Sequence, residues 1–346
     1  MLTGMVAAHI LKLAPWHAEI EFLTLTGLSY IMVEVGLEFS REKVSLRGHG
    51  FDFFVAVAAA VLPWLFCGIY FIYVLNTPPR NAALVSLFAA PTSAGVLFTL
   101  LAAAGLRRTW VYSKAQALAI FDDLATLLLL IPIQFIFNGF TPRSFISVGL
   151  ILIIFAAAYR GLNRILTSGK APLLLFYGLI ITVICISLKH YWAIDVPALL
   201  VAFALGCILQ LKPGTPHVGT GTLDTGIKAA FMFLVGLSLP KIGLGAISPG
   251  SFLLHLTALT VLANIGKCFP VFCYRREASY RERWALSIAL FPRGEVGAGV
   301  LLIAMSYGFR GTPEILAGVC LALNLILTAW FIVLVKQLLG FKAERL

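Results

Sequence analysis

The sequence predicts an all-α polytopic membrane protein, and three observations support that prediction. Of the 346 residues, 60% are hydrophobic and only 12% are charged, with a mean hydropathy of +0.96. Such a chain has more apolar surface than one soluble core can bury. The apolar residues form runs of membrane-spanning length. Most of the basic residues lie in the short loops between these runs, as in other membrane proteins.

Twelve apolar runs follow one another along the chain, the first of them incomplete. Each has about the length that a tilted or partly buried helix needs. The runs cover residues 1–13, 20–38, 51–75, 82–106, 115–137, 144–159, 172–189, 194–211, 226–240, 250–274, 284–307 and 313–336. We therefore expect a single transmembrane domain over residues 1–346.

The basic residues divide unevenly between the two sides of the predicted bundle. If successive loops alternate sides, seventeen of the 26 lysines and arginines lie on one side and six on the other. An excess of Lys and Arg marks cytoplasmic loops. We therefore expect an integral protein of the cell (inner) membrane with a cytoplasmic C-terminus. The net charge of +11 indicates this topology and not a nucleic-acid partner.

The sequence indicates no cofactor. Its six cysteines are scattered in or beside apolar runs without a CxxC pair, and no histidine belongs to an HExxH motif. The Gly-rich stretch at 212–228 lacks the GxxxxGK[ST] pattern of a nucleotide-binding loop.

Two adjacent carboxylates, Asp122 and Asp123, lie inside the otherwise uncharged run 115–137. A charged residue in a membrane helix costs about 2.5 to 3.5 kcal/mol on insertion scales, and it usually faces a polar cavity, a partner or an ion pathway. Both residues lie eight or nine positions past Lys114, about 12 Å into the span. That depth favours a functional site over the alternative that the pair marks a helix end.

Lys267 is the expected partner of one of the two carboxylates. It lies eight residues before Arg275, at the same depth as Asp122, and an ion pair lowers the cost of burying both charges. Successive helical residues point about 100° apart, so Asp122 and Asp123 cannot both face one partner. We assign Asp122 to Lys267. We expect Asp123 to face an aqueous cavity, where it binds a proton and a small cation in alternation.

Two prolines interrupt oppositely directed runs. Pro91 lies within the run 82–106, and Pro292 lies within the run 284–307. Pro and Gly interruptions at corresponding places of two halves indicate an inverted-repeat transporter whose broken helices face the ion site. The alternative is that each proline only kinks a packed membrane helix.

Polar residues beside the two breaks are further candidates. Thr92 and Ser93 can offer oxygens to a hard cation or cap the freed half-helix. Arg293 and Glu295 are expected to be framework charges that compensate one another or the dipoles of the broken halves. Ion coordination by Glu295 is the alternative to that framework role.

Two other charges lie near or within the runs. Glu34 is inside the run 20–38 and has no evident partner in the sequence, whereas Lys228 lies near a helix start and can reach the cytoplasmic interface.

Taken in order, these motifs resemble the monovalent cation:proton antiporter superfamily, in the branch of the bacterial sodium/proton antiporters and potassium efflux systems. The likeness spans nearly the whole chain. Its motifs are VGLEFSREKVSL, APTSAGVLFTLLAAAGL, FDDLATLLLL, FMFLVGLSL, ANIGKCFPV and LFPRGEVGAGV. The motifs APTSAGVLFTLLAAAGL and LFPRGEVGAGV are similar to the family's two broken helices. The motif FDDLATLLLL is similar to its ion-carboxylate motif, and ANIGKCFPV is similar to its lysine helix.

The resemblance implies the inverted-repeat sodium/proton antiporter fold with two broken crossing helices. It also implies that Asp123 is the main ion and proton carboxylate, that Asp122 pairs with Lys267, and that exchange is electrogenic.

The resemblance further implies a homodimer that works by an elevator-like motion. An ion-translocating core, mostly residues 82–159 and 250–336, would move against a dimer and scaffold side, mostly residues 1–75 and 172–240.

We expect a secondary antiporter, not an enzyme, that exchanges a monovalent cation, Na⁺ in the first place, for protons. A potassium/proton antiporter of the efflux type is the alternative, disfavoured because only ten residues follow Lys336, which leaves no room for a nucleotide-binding regulatory domain. A truncated, non-transporting relative is a further alternative, because relatives extend upstream of LTGMVAAHIL. An intramembrane aspartyl protease needs its two carboxylates on different helices, where they can share a water, and adjacent residues cannot do so.

Overall fold

The structure, a computed structural model, describes residues 1–10, 16–41, 50–159, 165–167, 169–211, 221–240, 248–309 and 311–340. Over these residues the predicted apolar runs form helices. The helices are α1 (Leu2–Ile10), α2 (His17–Arg41), α3 (Gly50–Tyr73), α4 (Pro79–Val85), α5 (Ala94–Ala103), α6 (Trp110–Asn138), α7 (Pro142–Tyr159), α8 (Ala171–Trp192), α9 (Ala198–Ile208), α10 (Thr222–Ser238), α11 (Pro249–Gly266), α12 (Pro270–Cys273), α13 (Tyr280–Ala289), α14 (Glu295–Ser306) and α15 (Thr312–Leu338).

Six helices within the described ranges are long and apolar enough to cross a membrane, by length and composition. They are α2, α3, α6, α8, α15 and the stretch formed by α11 and α12. The predicted all-α polytopic membrane protein is thereby confirmed.

A short pair of strands departs from the predicted helical pattern. Residues Ile165–Thr167 (β1) pair in parallel with Leu209–Leu211 (β2). The run 194–211 was expected to be helical throughout, but its helix ends at Ile208. The backbone of the next three residues bonds to β1 instead of continuing the helix.

The chain divides into two compact units. The first comprises Met1–Ser45 and Leu130–Ser238, and the second comprises Leu46–Leu129 and Leu239–Leu346. Residues 46–75, expected on the scaffold side, fall in the second unit, and residues 130–159, expected in the core, fall in the first. Which unit moves and which forms the scaffold stays a prediction.

Helix α2 is the centre of the first unit. It packs against α8, α9 and α10, while α1 packs on α10 and α7 on α9. Gly36 of α2 meets Gly206 of α9, where a Cβ on Gly206 would lie 2.3 Å from the carbonyl oxygen of Val33. Small residues that let two helix backbones touch are a common packing device in membranes, where no hydrophobic driving force joins helices.

The second unit contains the predicted site. Helix α3 lies along α11, α13 packs on α15, and α14 packs on α15 and on a 3-10 turn at Ser86–Ala89. This unit therefore holds both interrupted runs and the carboxylate part of α6.

Candidate ion-binding site

Both prolines interrupt helices, and the two interruptions touch. Residues 90–93 separate the 3-10 turn from α5, and residues 290–294 separate α13 from α14. Proline lacks the N–H that would continue the helical ladder. The backbone N–H of Ser93 donates to the carbonyl oxygen of Pro292 at 2.8 Å. A Cβ on Gly294 would lie 2.5 Å from Ser93 Oγ, so only glycine lets the breaks approach this closely.

Asp122 and Lys267 form a buried ion pair beside the first break. Lys267 Nζ donates to Asp122 Oδ2 and to the carbonyl oxygen of Ala90. Thr92 Oγ1 donates to the same carboxylate oxygen at 2.7 Å. Lys267 is 0% exposed and Asp122 is 2% exposed. The freed carbonyl and the hydroxyl at the break therefore solvate charges that water cannot reach.

Asp123 is the next residue of α6 and is 1% exposed. The hydrogen bonds of Lys267 Nζ go to Asp122 and to the carbonyl oxygen of Ala90. The helix thus turns the two carboxylates in different directions, as their spacing requires. The aqueous cavity expected beside Asp123 stays a prediction.

Arg293 forms hydrogen bonds with residues at both breaks. It is fully buried, and its Nε donates to the carbonyl oxygen of Ala89 at 3.0 Å. Its Nη1 donates to Asn264 Oδ1 at 2.7 Å and to the carbonyl oxygen of Phe291 at 3.0 Å. Its Nη2 donates to the carbonyl oxygen of Ala263 at 2.6 Å. One guanidinium thereby joins both breaks to α11.

Glu295 bonds to the first break and not to its neighbour in sequence. Ser93 Oγ donates to Glu295 Oε2 at 2.9 Å, and no ion pair joins Glu295 to Arg293 within the described residues. The hydrogen bonds of Arg293 go instead to backbone carbonyl oxygens and to Asn264, and the framework role expected for Arg293 and Glu295 stays a prediction. Glu295 begins α14, where a negative charge suits the helix dipole.

The two side-chain hydroxyls at the first break each donate a hydrogen bond to a carboxylate. Thr92 donates to Asp122 and Ser93 to Glu295, and Ser93 makes no side-chain cap bond at the start of α5. Their binding of a cation stays a prediction.

Asn264 and Asn324 were not singled out from the sequence. Asn324 is fully buried, and its Oδ1 lies 3.4 Å from Arg293 Nη1. Their position within apolar runs could have indicated them, because a side-chain amide without a hydrogen-bond partner is costly in an apolar environment.

The sequence interpretation of Glu34 and Lys228 was wrong, because the two side chains meet. Lys228 Nζ donates to Glu34 Oε1 at 2.7 Å, so Glu34 has a partner and Lys228 does not simply extend to the interface. The two residues are 194 positions apart, on α2 and α10, and only tertiary packing reveals that they meet. Tyr30 Oη donates to Asp224 Oδ1 between the same two helices.

Comparison with known proteins supplies the remaining evidence. The family profile described as "Sodium/hydrogen exchanger, transmembrane" matches residues 1–340. The solved structure of the sodium proton antiporter MjNhaP1 from Methanocaldococcus jannaschii at pH 8 superposes with a TM-score of 0.64. Its sequence identity is 17%, over 98% of this chain and 91% of that chain, so the likeness shows the fold. No curated protein matches the chain.

Arg293 gives a stability prediction. Arg293→Lys keeps the charge but cannot reach both breaks and α11 at once, because an ammonium lacks the planar fork of donors. We expect unfolding to become easier by about 3 kcal/mol, measured as a lower heat-unfolding midpoint in detergent. Arg281→Lys, at an exposed position of α13, is the matched control. Equal midpoints for the two variants would contradict the framework role.

Proposed function

The chain belongs to the family of transmembrane sodium/hydrogen exchangers, and from that membership we propose that it exchanges Na⁺ for protons, with Asp123 binding the cation and the proton in alternation. As a member of this family it is an integral membrane transporter and not an enzyme. The observation that carries the proposal is the buried Asp122–Lys267 pair next to Asp123, where the two broken helices touch.

Charge balance explains why this arrangement supports exchange. Lys267 and Asp122 offset each other, and an ionised Asp123 adds a second carboxylate charge directly beside them, at a residue that is 1% exposed. Burying a further carboxylate charge is costly. Either a proton or a monovalent cation removes that cost. Crossing with Asp123 empty is disfavoured, so movement of a cation one way is coupled to movement of a proton the other way.

The ion pair also distinguishes the two carboxylates from each other. Asp122 Oδ2 accepts from both Lys267 and Thr92, and hydrogen bonds to a charged carboxylate favour that charged form. We therefore propose that Asp122 stays paired with Lys267 until a cation binds, and that Asp123 is the carboxylate that binds the cation and the proton in alternation. Thr92 and Ser93 lie at the first break, and we propose that their hydroxyl oxygens complete the coordination shell of the bound cation.

Electrogenic exchange needs a second titrating group. If only Asp123 changed its occupant, one cation would replace one proton and no net charge would cross. We propose that the cation also engages Asp122, so that Lys267 is released from its partner and gives up its proton. Two protons are then exchanged for one cation.

The proposal extends to assembly and orientation. From the resemblance to the antiporter superfamily we propose a homodimer in the cell (inner) membrane. The uneven distribution of Lys and Arg along the chain supports a C-terminus in the cytoplasm. Potassium is the alternative cation, and the transport assay below compares the two.

Asp123→Asn is expected to abolish exchange, because an amide cannot alternate between a proton and a metal ion. A pH-sensitive dye inside proteoliposomes, with Na⁺, Li⁺ and K⁺ added in turn, measures the exchange and ranks the cations. Asp195→Asn is the matched control, since Asp195 belongs to the first compact unit, is partly exposed and forms an ion pair with Lys189 at 3.6 Å. Undiminished exchange in Asp123→Asn would reject the assignment.

Lys267→Gln is expected to remove the voltage dependence of exchange. With two protons entering per Na⁺ leaving, an inside-negative potential of about 100 mV adds about 2.3 kcal/mol of driving force and accelerates Na⁺ efflux from wild-type vesicles. The variant, where transport persists, should be insensitive to the potential. Wild-type efflux that ignores the imposed potential would contradict electrogenic exchange.

A further inference from the structure

A second buried charge cluster lies in the same unit as the ion pair. Asp52, in the first turn of α3, is 5% exposed. Lys114 Nζ lies 3.0 Å from its Oδ1 and 3.1 Å from its Oδ2. Tyr274 Oη donates to Oδ1 at 2.7 Å, and Lys114 Nζ lies 4.8 Å from the centroid of the Tyr274 ring. One carboxylate on α3 therefore binds two other segments.

Those two segments are the ones that carry the ion pair. Lys114 precedes Asp122 by eight residues on α6, and Tyr274 follows Lys267 by seven residues, just past α12. Eight residues of helix are about two turns, or about 12 Å. The Asp52 cluster and the ion pair thus connect the same two segments of the chain. On α6 the two connections are about two helical turns apart.

Helix α3 also touches the residue that precedes each charged partner. The rings of Phe53 and Phe121 meet edge to face with centroids 5.5 Å apart, and Phe121 directly precedes Asp122. A Cβ on Gly266 would lie 2.4 Å from the backbone nitrogen of Pro63, and Gly266 directly precedes Lys267. The position of α3 is therefore transmitted to both sides of the pair.

Lys114 contacts two carboxylates, of which Asp52 is buried and Glu277 is exposed. Glu277 Oε2 lies 3.2 Å from Lys114 Nζ, but its side chain is 48% exposed, against 7% for Asp52. An exposed partner is readily replaced by water and contributes little. Burial and, after it, the hydrogen bond to Asp52 raise the pKa of the Tyr274 hydroxyl above its ordinary value. That hydroxyl stays protonated and remains a donor at physiological pH.

We propose that Asp52 is a positioning residue for ion exchange: by binding Lys114 and Tyr274 from α3, it sets the axial register at which Asp122 of α6 meets Lys267. The proposal rests on the exchange function proposed above. Asp122 Oδ2 must accept from both Lys267 and Thr92, which leaves little tolerance for sliding of α6. A misplacement of about 1 Å can cost about a hundredfold in function.

The test measures Na⁺/H⁺ exchange in proteoliposomes over a range of Na⁺ concentrations and pH. Asp52→Asn keeps the size of the side chain but weakens its hold on Lys114, and it is expected to raise the apparent KM for Na⁺ about tenfold with a smaller change in kcat. Its pH profile should shift as well, because a loosened Asp122–Lys267 pair alters the competition between cation and proton. Tyr274→Phe should raise KM about threefold. Asp52→Glu, which keeps the charge, should restore most of the loss.

Glu277→Gln is the matched control, since it removes the exposed partner of the same lysine and should leave KM and the pH profile unchanged. Unchanged KM in both Asp52→Asn and Tyr274→Phe overturns the positioning role, as does an equal effect of Glu277→Gln. If Asp52→Asn does not fold, Tyr274→Phe and Asp52→Glu decide. Absence of exchange in the wild-type vesicles overturns the proposed function itself, whereas normal wild-type exchange with unaltered variants overturns only the role of Asp52.

Discussion

The buried pair of Asp122 and Lys267 is the interaction on which the rest of the site depends. Neither charge has access to water, so their mutual attraction and their hydrogen bonds must replace hydration. The first helix break supplies what is missing: the Ala90 carbonyl oxygen accepts from the lysine, and Thr92 donates to the carboxylate. A continuous helix would have used that carbonyl in its own ladder. Breaking the helix is therefore what allows the charges to be buried.

The surrounding framework fixes where the pair forms. Arg293 joins the carbonyl ends of both breaks to α11 through four hydrogen bonds, so the breaks cannot close into ordinary helices without stranding a buried guanidinium. Helix α3 braces the same elements at Pro63, Phe53 and Asp52. A site whose proposed ion-binding carboxylate lies on one helix and whose lysine lies on another needs such contacts, because small shifts between helices would separate the two groups.

The sequence predicted those features that leave a local signal. Apolar runs gave the helices, Pro91 and Pro292 gave the breaks, and counting residues inward from Lys114 and Arg275 put Asp122 and Lys267 at one depth. Contacts between distant segments leave no such signal. The partner of Glu34 is 194 positions away, and the hydrogen bond from Tyr274 to Asp52 spans 222 positions. The carbonyl oxygens bound by Arg293 are backbone groups, which any residue could supply. The short pairing of β1 with β2 likewise depends on two segments meeting in space.

The central claim is that proton and cation compete for one buried carboxylate, and proton release on cation binding tests it most directly. Na⁺ is titrated into purified protein in weakly buffered detergent solution while the pH is recorded and bound Na⁺ is measured with a radioactive tracer. We expect at least one proton to be released for each Na⁺ bound, and we expect this release to be lost in Asp123→Asn. Binding of Na⁺ without any release of protons would contradict it.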